Sequence, residues 1–275
     1  MPNASIGAPV YTGIALMILF GLLFPTAVAI WWIRTRKEKA VTVLIGAATW
    51  FVFAMVLETV PKAVFLNTLT PVGRAVLSRP ALAVVLAALM AGVFEETGRF
   101  VAFRTLLKNR RNRETSISHG IGHGGFEAMF LLVTGGVQNL IYAVMIRTGQ
   151  FRSVIEAAAA QGADVSALEN LPYQIAAITP GTACLSAVER VFAMLLHAGL
   201  SIAVFYAVKK RKTWLYPLAV LAHALFDVPA ALYQFGVIGD LYLVEILIAV
   251  YAVVFFTIVY RALYRRDKAA EAADG

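Results

Sequence analysis

Long apolar runs constrain this chain more than any other feature of its sequence. About seven runs of roughly 20 mostly apolar residues follow one another, and each is long enough to cross the hydrocarbon core of a bilayer as an α-helix. Hydrophobic residues make up 60% of the chain and charged residues only 15%, which leaves too little polar surface for a soluble fold. The sequence therefore predicts an all-α polytopic membrane protein, with spans near residues 10–33, 40–60, 80–103, 119–146, 181–208, 214–236 and 239–262.

The order of these runs predicts a single membrane domain. We expect this domain to cover residues 1–275, and its polar motifs to lie in a core at about 80–236. The connection at 147–180 is an outer loop in this scheme. Within it, apolar residues at Val154–Ala160 and Val165–Leu171 predict two short helices on the outer face.

The basic residues are grouped at the ends of the apolar runs. The formal net charge is +8, and the grouping follows the positive-inside bias of cytoplasmic loops. It predicts a multi-pass protein of the cell membrane with its N-terminus outside and its C-terminus in the cytoplasm. The four groups are Arg34/Arg36/Lys37/Lys39, Arg104/Lys108/Arg110/Arg111/Arg113, Lys209/Lys210/Arg211/Lys212 and Arg261/Arg265/Arg266/Lys268.

The charge pattern and the cysteine content argue against nucleic-acid binding and against cysteine-based structures. The basic charge is explained by topology, so we expect membrane lipid and no nucleic acid as a partner. The chain has one cysteine, Cys184, which excludes an internal disulfide framework and a cysteine-rich zinc site.

Ionisable side chains interrupt four of the apolar runs. Such side chains cost about 2.5–3.5 kcal/mol on insertion scales, so within a membrane they usually serve a function. Here they include all four histidines of the protein. The nine residues are Glu95, Glu96, Arg99, His119, His123, Glu127, His197, His223 and Asp227.

The spacing of these residues places several of them on shared helix faces. Residues three or four apart lie on one face of an α-helix, so Arg99 is in reach of both Glu95 and Glu96. Two further stripes at i+4 spacing join His119, His123 and Glu127, and His223 and Asp227.

Three sequence segments that contain these residues together resemble the YhfC family. They are the EExxR motif at Glu95–Arg99, the Gly-His-Gly-Gly-Phe-Glu segment that ends at Glu127, and the HxxxD motif at His223–Asp227. The family is grouped with the type II CAAX prenyl proteases and PrsW proteases, a superfamily of glutamate-dependent intramembrane proteases. The resemblance covers about residues 90–230. It implies an intramembrane endopeptidase that cleaves a membrane-associated or lipidated peptide and requires no cofactor.

The sequence also departs from the superfamily pattern. Type II CAAX proteases show EExxxR and FxxxH, whereas this chain has one residue fewer in the first motif. Its second motif reads His119-xxx-His123 and is followed by Glu127. These differences weaken the inference of a prenylated substrate more than the inference of hydrolysis.

The resemblance implies a role for each motif residue. Glu95 activates water with assistance from His123, and His223 with Asp227 stabilises the oxyanion. The choice between Glu95 and its neighbour as the base stays open. Glu96 and Arg99 are assigned as a buried pair that positions the site. Glu127 and His197 are assigned as further members of the site. The simpler reading is a buried charge network that holds the helices together.

Two alternatives remain open from the residues. His119 and His123 have the i, i+4 spacing of zinc ligands, and Glu127, His197 or His223 could complete a set for an intramembrane metalloprotease; we name His223 first. The glutamate of an HExxH motif is absent, since Gly120 stands in its place. The second alternative is a proton- or ion-coupled transporter, because intramembrane acids and histidines also form ion paths.

Overall fold

The structure is a computed structural model that describes residues 6–267; the ends of the predicted domain, 1–5 and 268–275, lie outside the described residues. Within 6–267 the chain is helical and contains no strand. Seven helical segments are long and apolar enough to cross a membrane, which confirms the predicted class and the number of spans. They are Ala8–Arg36, Ala40–Phe65, Pro80–Arg104, Glu114–Arg147, Pro180–Lys209, Leu215–Gln234 and Leu241–Asp267.

The spans and the connections between them form eleven α-helices and two π-helical turns within the described residues. The π-helical turns are Phe51–Leu57 and Tyr260–Tyr264. The α-helices are α1 (Ala8–Arg36), α2 (Ala40–Trp50), α3 (Thr59–Phe65), α4 (Pro71–Leu77), α5 (Pro80–Arg104), α6 (Glu114–Arg147), α7 (Gln150–Ala160), α8 (Ser166–Ala176), α9 (Pro180–Lys209), α10 (Leu215–Gln234) and α11 (Leu241–Val259).

The chain divides into two compact units, and the divisions fall inside α1, α6 and α9. One unit comprises residues 1–25 and 128–190, and we call it the loop unit. The other comprises residues 26–127 and 191–275, and we call it the core unit. All nine ionisable residues singled out in the sequence lie in the core unit.

The loop unit contains the two short helices of the long connection. Helix α7 follows Gly149, whose φ of 78° is in the left-handed region that glycine adopts without strain. Each helix buries apolar side chains: Phe151 and Ile155, four residues apart, on α7, and Ile175 on α8. The prediction of two short helices in this loop is therefore confirmed.

Glycines of α6 determine how closely the helices of the core unit approach each other. A Cβ atom on Gly122 would lie 1.9 Å from the carbonyl oxygen of Val43 in α2. A Cβ atom on Gly120 would lie 2.6 Å from Cα of Ala198 in α9. Since real side chains do not tolerate such distances, glycine is required for this packing.

The same close packing buries the polar face of α6. His119 and His123 are both 0% exposed, although an isolated helix would leave them in contact with lipid or water. On the opposite side of the core, α5 and α10 approach closely at Gly92, where a Cβ atom would lie 2.6 Å from the carbonyl oxygen of Val220. The motif residues thus lie on α5, α6, α9 and α10, the four helices of the predicted core.

Candidate active site

Helix α5 supplies two glutamates and an arginine to the interior of the core unit. Glu96 and Arg99 are 0% exposed and Glu95 is 6% exposed. Nε of Arg99 lies 3.0 Å from Oε2 of Glu96, as the i+3 spacing predicts. A buried cation with no partner is very costly, so each of these two residues depends on the other.

The guanidinium of Arg99 also connects α5 to α6 and α9. Its Nη1 donates to Oγ of Ser201 at 2.8 Å and to the carbonyl oxygen of His197 at 3.2 Å. Its Nη2 lies 3.1 Å from Nε2 of His123 and 3.0 Å from Nδ1 of His197. Because an arginine can only donate, both imidazole nitrogens face it as acceptors.

Four of the predicted residues lie close to one another. Oε2 of Glu95 lies 2.8 Å from Nε2 of His123 and 3.9 Å from Nε2 of His223. The same His223 nitrogen is 3.6 Å from Oδ2 of Asp227. The two longer separations exceed a direct hydrogen bond. The structure therefore brings together four of the residues that the sequence assigns to the site.

The orientation of the His223 ring is fixed from its other side. Its Nδ1 lies 2.8 Å from Oε1 of Glu96, which is ionised because it pairs with Arg99. The Nδ1 proton is therefore donated to Glu96, and Nε2 is directed toward Glu95 and Asp227. Three carboxylates, those of Glu95, Glu96 and Asp227, therefore surround this one imidazole.

Glu127 and His197 form a second acid–histidine contact. Nε2 of His197 lies 2.6 Å from Oε2 of Glu127. Since Nδ1 of His197 accepts from Arg99, the proton of the neutral ring lies on Nε2 and faces the carboxylate. Both residues belong to the same polar cluster: Glu127 contacts His197, and His197 also contacts Arg99.

His119 lies at the edge of the cluster. Its Nδ1 is 3.3 Å from Oγ of Ser201, and its ring packs on Phe103 with centroids 4.7 Å apart. The predicted zinc set that pairs it with His123 and His223 requires correction. In residues 6–267, the group of three with donor atoms all within 4.8 Å of one another is Glu95, His197 and His223. The i+4 spacing correctly places the two α6 histidines on one face, but their ring centroids are 6.0 Å apart and His119 turns toward Ser201.

The converging group has donors that zinc accepts, because two imidazoles and one carboxylate form known catalytic zinc sites. Some of these donor groups also have other partners in the structure. Both nitrogens of His197 are engaged, one by Arg99 and the other by Glu127. Glu95 and Glu96 in turn contact the nitrogens of His123 and Arg99. A metal ion held by this group would take His197 away from Arg99 or from Glu127.

Ser201 is a site residue that the sequence reasoning missed. It is fully buried and contacts both Arg99 and His119. The available signal was its position one helical turn after His197, on the same face of α9. A serine inside an apolar helix is common, so that signal is weak without the structure.

Fold and site together define a polytopic membrane protein with an acid–histidine cluster buried among four of its spans. The chain matches the model of the family described as "YhfC intramembrane metalloprotease" over residues 17–248. It therefore belongs to the YhfC family, which confirms the resemblance seen in its motifs. The family description indicates an intramembrane protease.

A relative supports the same assignment. The chain is 32% identical over 239 residues to a protein of Bacillus subtilis (strain 168) described as "Uncharacterized membrane protein YhfC", with 87% of this chain and 91% of the relative covered. No solved structure matches the chain with statistical significance.

Proposed function

We propose that this protein is a glutamate-type intramembrane endopeptidase that cleaves a membrane-associated or lipidated peptide. Membership of the YhfC family supports peptide-bond cleavage. The observation that carries the mechanism is the position of Glu95, which lies 2.8 Å from His123 and faces His223 at 3.9 Å.

Of the two adjacent glutamates, Glu95 is the better base. Both carboxylate oxygens of Glu96 are engaged, one by Arg99 and the other by His223. Glu95 has one neighbour at hydrogen-bond distance, His123, and its other close group, Nε2 of His223, lies at 3.9 Å, beyond a direct hydrogen bond. A base needs a carboxylate that is not fully engaged, because it must reach the water that it deprotonates.

In the first step, Glu95 removes a proton from a water molecule held between Glu95 and His223. The resulting hydroxide attacks the carbonyl carbon of the scissile peptide, and the carbonyl oxygen becomes an oxyanion. The proton taken up by Glu95 faces Nε2 of His123, which lies 2.8 Å away and assists by accepting a hydrogen bond from it.

In the second step, the tetrahedral intermediate collapses. Its oxyanion accepts a hydrogen bond from Nε2 of the His223 imidazolium, whose charge Glu96 and Asp227 stabilise. The proton held by Glu95 passes to the leaving nitrogen, the C–N bond breaks, and the carboxylate of Glu95 is restored. Arg99 contacts no reacting atom in this scheme and acts by positioning His123 and His197.

The decisive test is Glu95→Gln, which keeps the shape of the side chain and removes the base. In proteoliposomes that carry a quenched fluorescent, lipid-anchored peptide, we expect the cleavage rate to fall roughly 100- to 10,000-fold. Glu156→Gln is the matched control, since Glu156 is an exposed residue of α7 and its substitution should leave the rate unchanged. Wild-type cleavage by the Glu95 variant would refute the assignment.

Zinc on Glu95, His197 and His223 is the alternative mechanism, and their convergence and the family description favour it. Our proposal expects full activity after treatment with 1,10-phenanthroline, and no stoichiometric zinc by elemental analysis of the purified protein. Activity that is lost on chelation and restored by zinc, together with zinc loss in His197→Ala, would establish the metal mechanism instead.

We also propose a location in the cell membrane, with the N-terminus outside and the C-terminus in the cytoplasm. The basic groups at the helix ends support this orientation. A C-terminal reporter that is active only outside the cell should stay silent, and an active reporter would reverse the topology.

A further inference from the structure

A second polar feature of the core unit lies where α5 and α9 end. It is a cavity of about 240 Å³ whose apolar surface comes from Phe103, Leu107, Phe205 and Val208. Six cationic side chains and no acidic side chain line it. They are Arg104, Lys108, Arg110, Arg111, Lys209 and Arg211, and we call this cavity the basic pocket.

Most of these cations lack a counter-charge. In the part of the chain that the structure describes, Lys209 pairs with Asp267, whereas no carboxylate pairs with the other five. Arg104 and Lys209 lie in the last turns of their helices, where the helix dipole favours a cation. The dipoles do not account for the four remaining cations, which lie beyond these turns and repel one another.

The backbone at Arg211 has a conformation that is uncommon for arginine. Its φ is +54°, in the left-handed region that costs a non-glycine residue free energy. Glycine is the usual residue just after a helix in this conformation. The residue at this position is nevertheless an arginine, and it lines the pocket.

The surroundings of the pocket place it at the level of lipid head groups. Trp214, three residues after Arg211, is 60% exposed, and exposed tryptophans of spanning helices favour the membrane interface. Leu106, beside the pocket, is 68% exposed and suits contact with acyl chains. The cavity is also smaller than the roughly 300–1,000 Å³ of sites that enclose a whole small molecule.

We infer that the basic pocket binds the phosphate of an anionic phospholipid head group. Arginine and lysine side chains suit phosphate oxygens, and basic pockets between spanning helices are known lipid head-group sites. The apolar residues of the pocket receive the glycerol backbone. This site is separate from the proposed catalytic cluster and does not depend on its chemistry.

Native mass spectrometry of the full-length protein tests this inference directly. The detergent-solubilised protein is titrated with dioleoylphosphatidylglycerol, dioleoylphosphatidylcholine or inorganic phosphate. We expect the anionic lipid to bind in preference to the zwitterionic one, and more tightly than inorganic phosphate. Equal binding of the two lipids would overturn the inference, and tighter binding of inorganic phosphate would identify a free anion as the ligand instead.

Arg211→Gly separates binding from folding. The substitution removes one cation and relaxes the strained backbone, so the protein should fold at least as well while its affinity for phosphatidylglycerol falls roughly fivefold. Lys37→Gly is the matched control, because Lys37 has a φ of +52° and lies outside the pocket. An equal loss of affinity in both variants would overturn the inference.

A triple variant, Lys108→Gln, Arg110→Gln and Arg111→Gln, enlarges the effect. Loss of three cations should weaken binding roughly 100-fold. The same change of charge at Arg261, Arg265 and Arg266, outside the pocket, should have little effect. If the two triple variants bind phosphatidylglycerol equally, net charge rather than the pocket determines lipid binding, and the inference fails.

Discussion

The core unit has two concentrations of charge that follow opposite rules. In the buried cluster around Arg99, each charged group contacts a partner of opposite or complementary character, and the guanidinium alone reaches five acceptor atoms. In the basic pocket, five cations have no carboxylate partner within residues 6–267. Partnered charges hold a geometry in place before any ligand arrives, whereas unpartnered charges gain a partner only when a ligand binds. The difference separates a site built for reaction from a site built for binding.

The largest expected effect comes from the same substitution made in each region. Arg99→Met leaves Glu96 buried without its cation, so we expect a loss of about 3–5 kcal/mol in stability and no detectable cleavage. Arg104→Met removes an exposed cation, and we expect a change within about 0.5 kcal/mol. Unfolding of both variants in detergent, followed by loss of helical circular dichroism, gives the comparison. Similar stabilities for the two variants would show that the buried cluster does not depend on its arginine.

The second prediction concerns the close packing that encloses the buried cluster. Gly122→Ala places a methyl group against the carbonyl oxygen of Val43, so we expect a loss of about 1–3 kcal/mol and reduced cleavage. Gly135→Ala is the control on the same helix, since a Cβ atom there meets nothing within 4 Å. It should raise stability by about 0.5–1 kcal/mol, because alanine is the better helix former. A Gly122 variant as stable as the wild type would mean that α6 shifts without cost.

The smallest expected effect is at Ser201, which connects Arg99 with His119. Ser201→Ala should cost about 1 kcal/mol, because Nη1 of Arg99 keeps its bond to the carbonyl oxygen of His197. We expect a fall in kcat with little change in KM, since the residue positions the site without contacting the substrate. Ser186→Ala on the same helix is the control and should leave both constants unchanged. A change in KM alone would assign Ser201 to substrate binding.

The number of spans and the helices that carry the site could be predicted from the sequence. Apolar run length is a local property, and the seven predicted runs coincide with the seven long apolar segments. The Glu96–Arg99 contact was also predictable, because both residues lie on one helix at i+3. Each of these inferences depends only on residues close together in the chain.

Contacts between helices could not be predicted in the same way. The spacing of His119 and His123 indicates a shared face, but the structure places Ser201 and Phe103 beside the first and Glu95 beside the second. Periodicity along one helix shows which residues share a face, but it does not show which residues of adjacent helices contact them. For the same reason, the spacing of residues on α5 did not predict that Arg99 contacts α9.

The pairing of Glu96 with Arg99 also bears on how the chain enters the membrane during synthesis. His197 is 98 residues beyond Arg99, so at typical ribosome speeds α5 waits roughly 5–20 s for its partners on α9. During that interval the local pair presents the membrane with one neutral unit in place of two isolated charges. Substituting either member alone should impair insertion of α5, and substituting both should restore insertion without restoring cleavage. The contact between Glu96 and Arg99 would then assist membrane insertion of the nascent chain and later position the site of the folded protein.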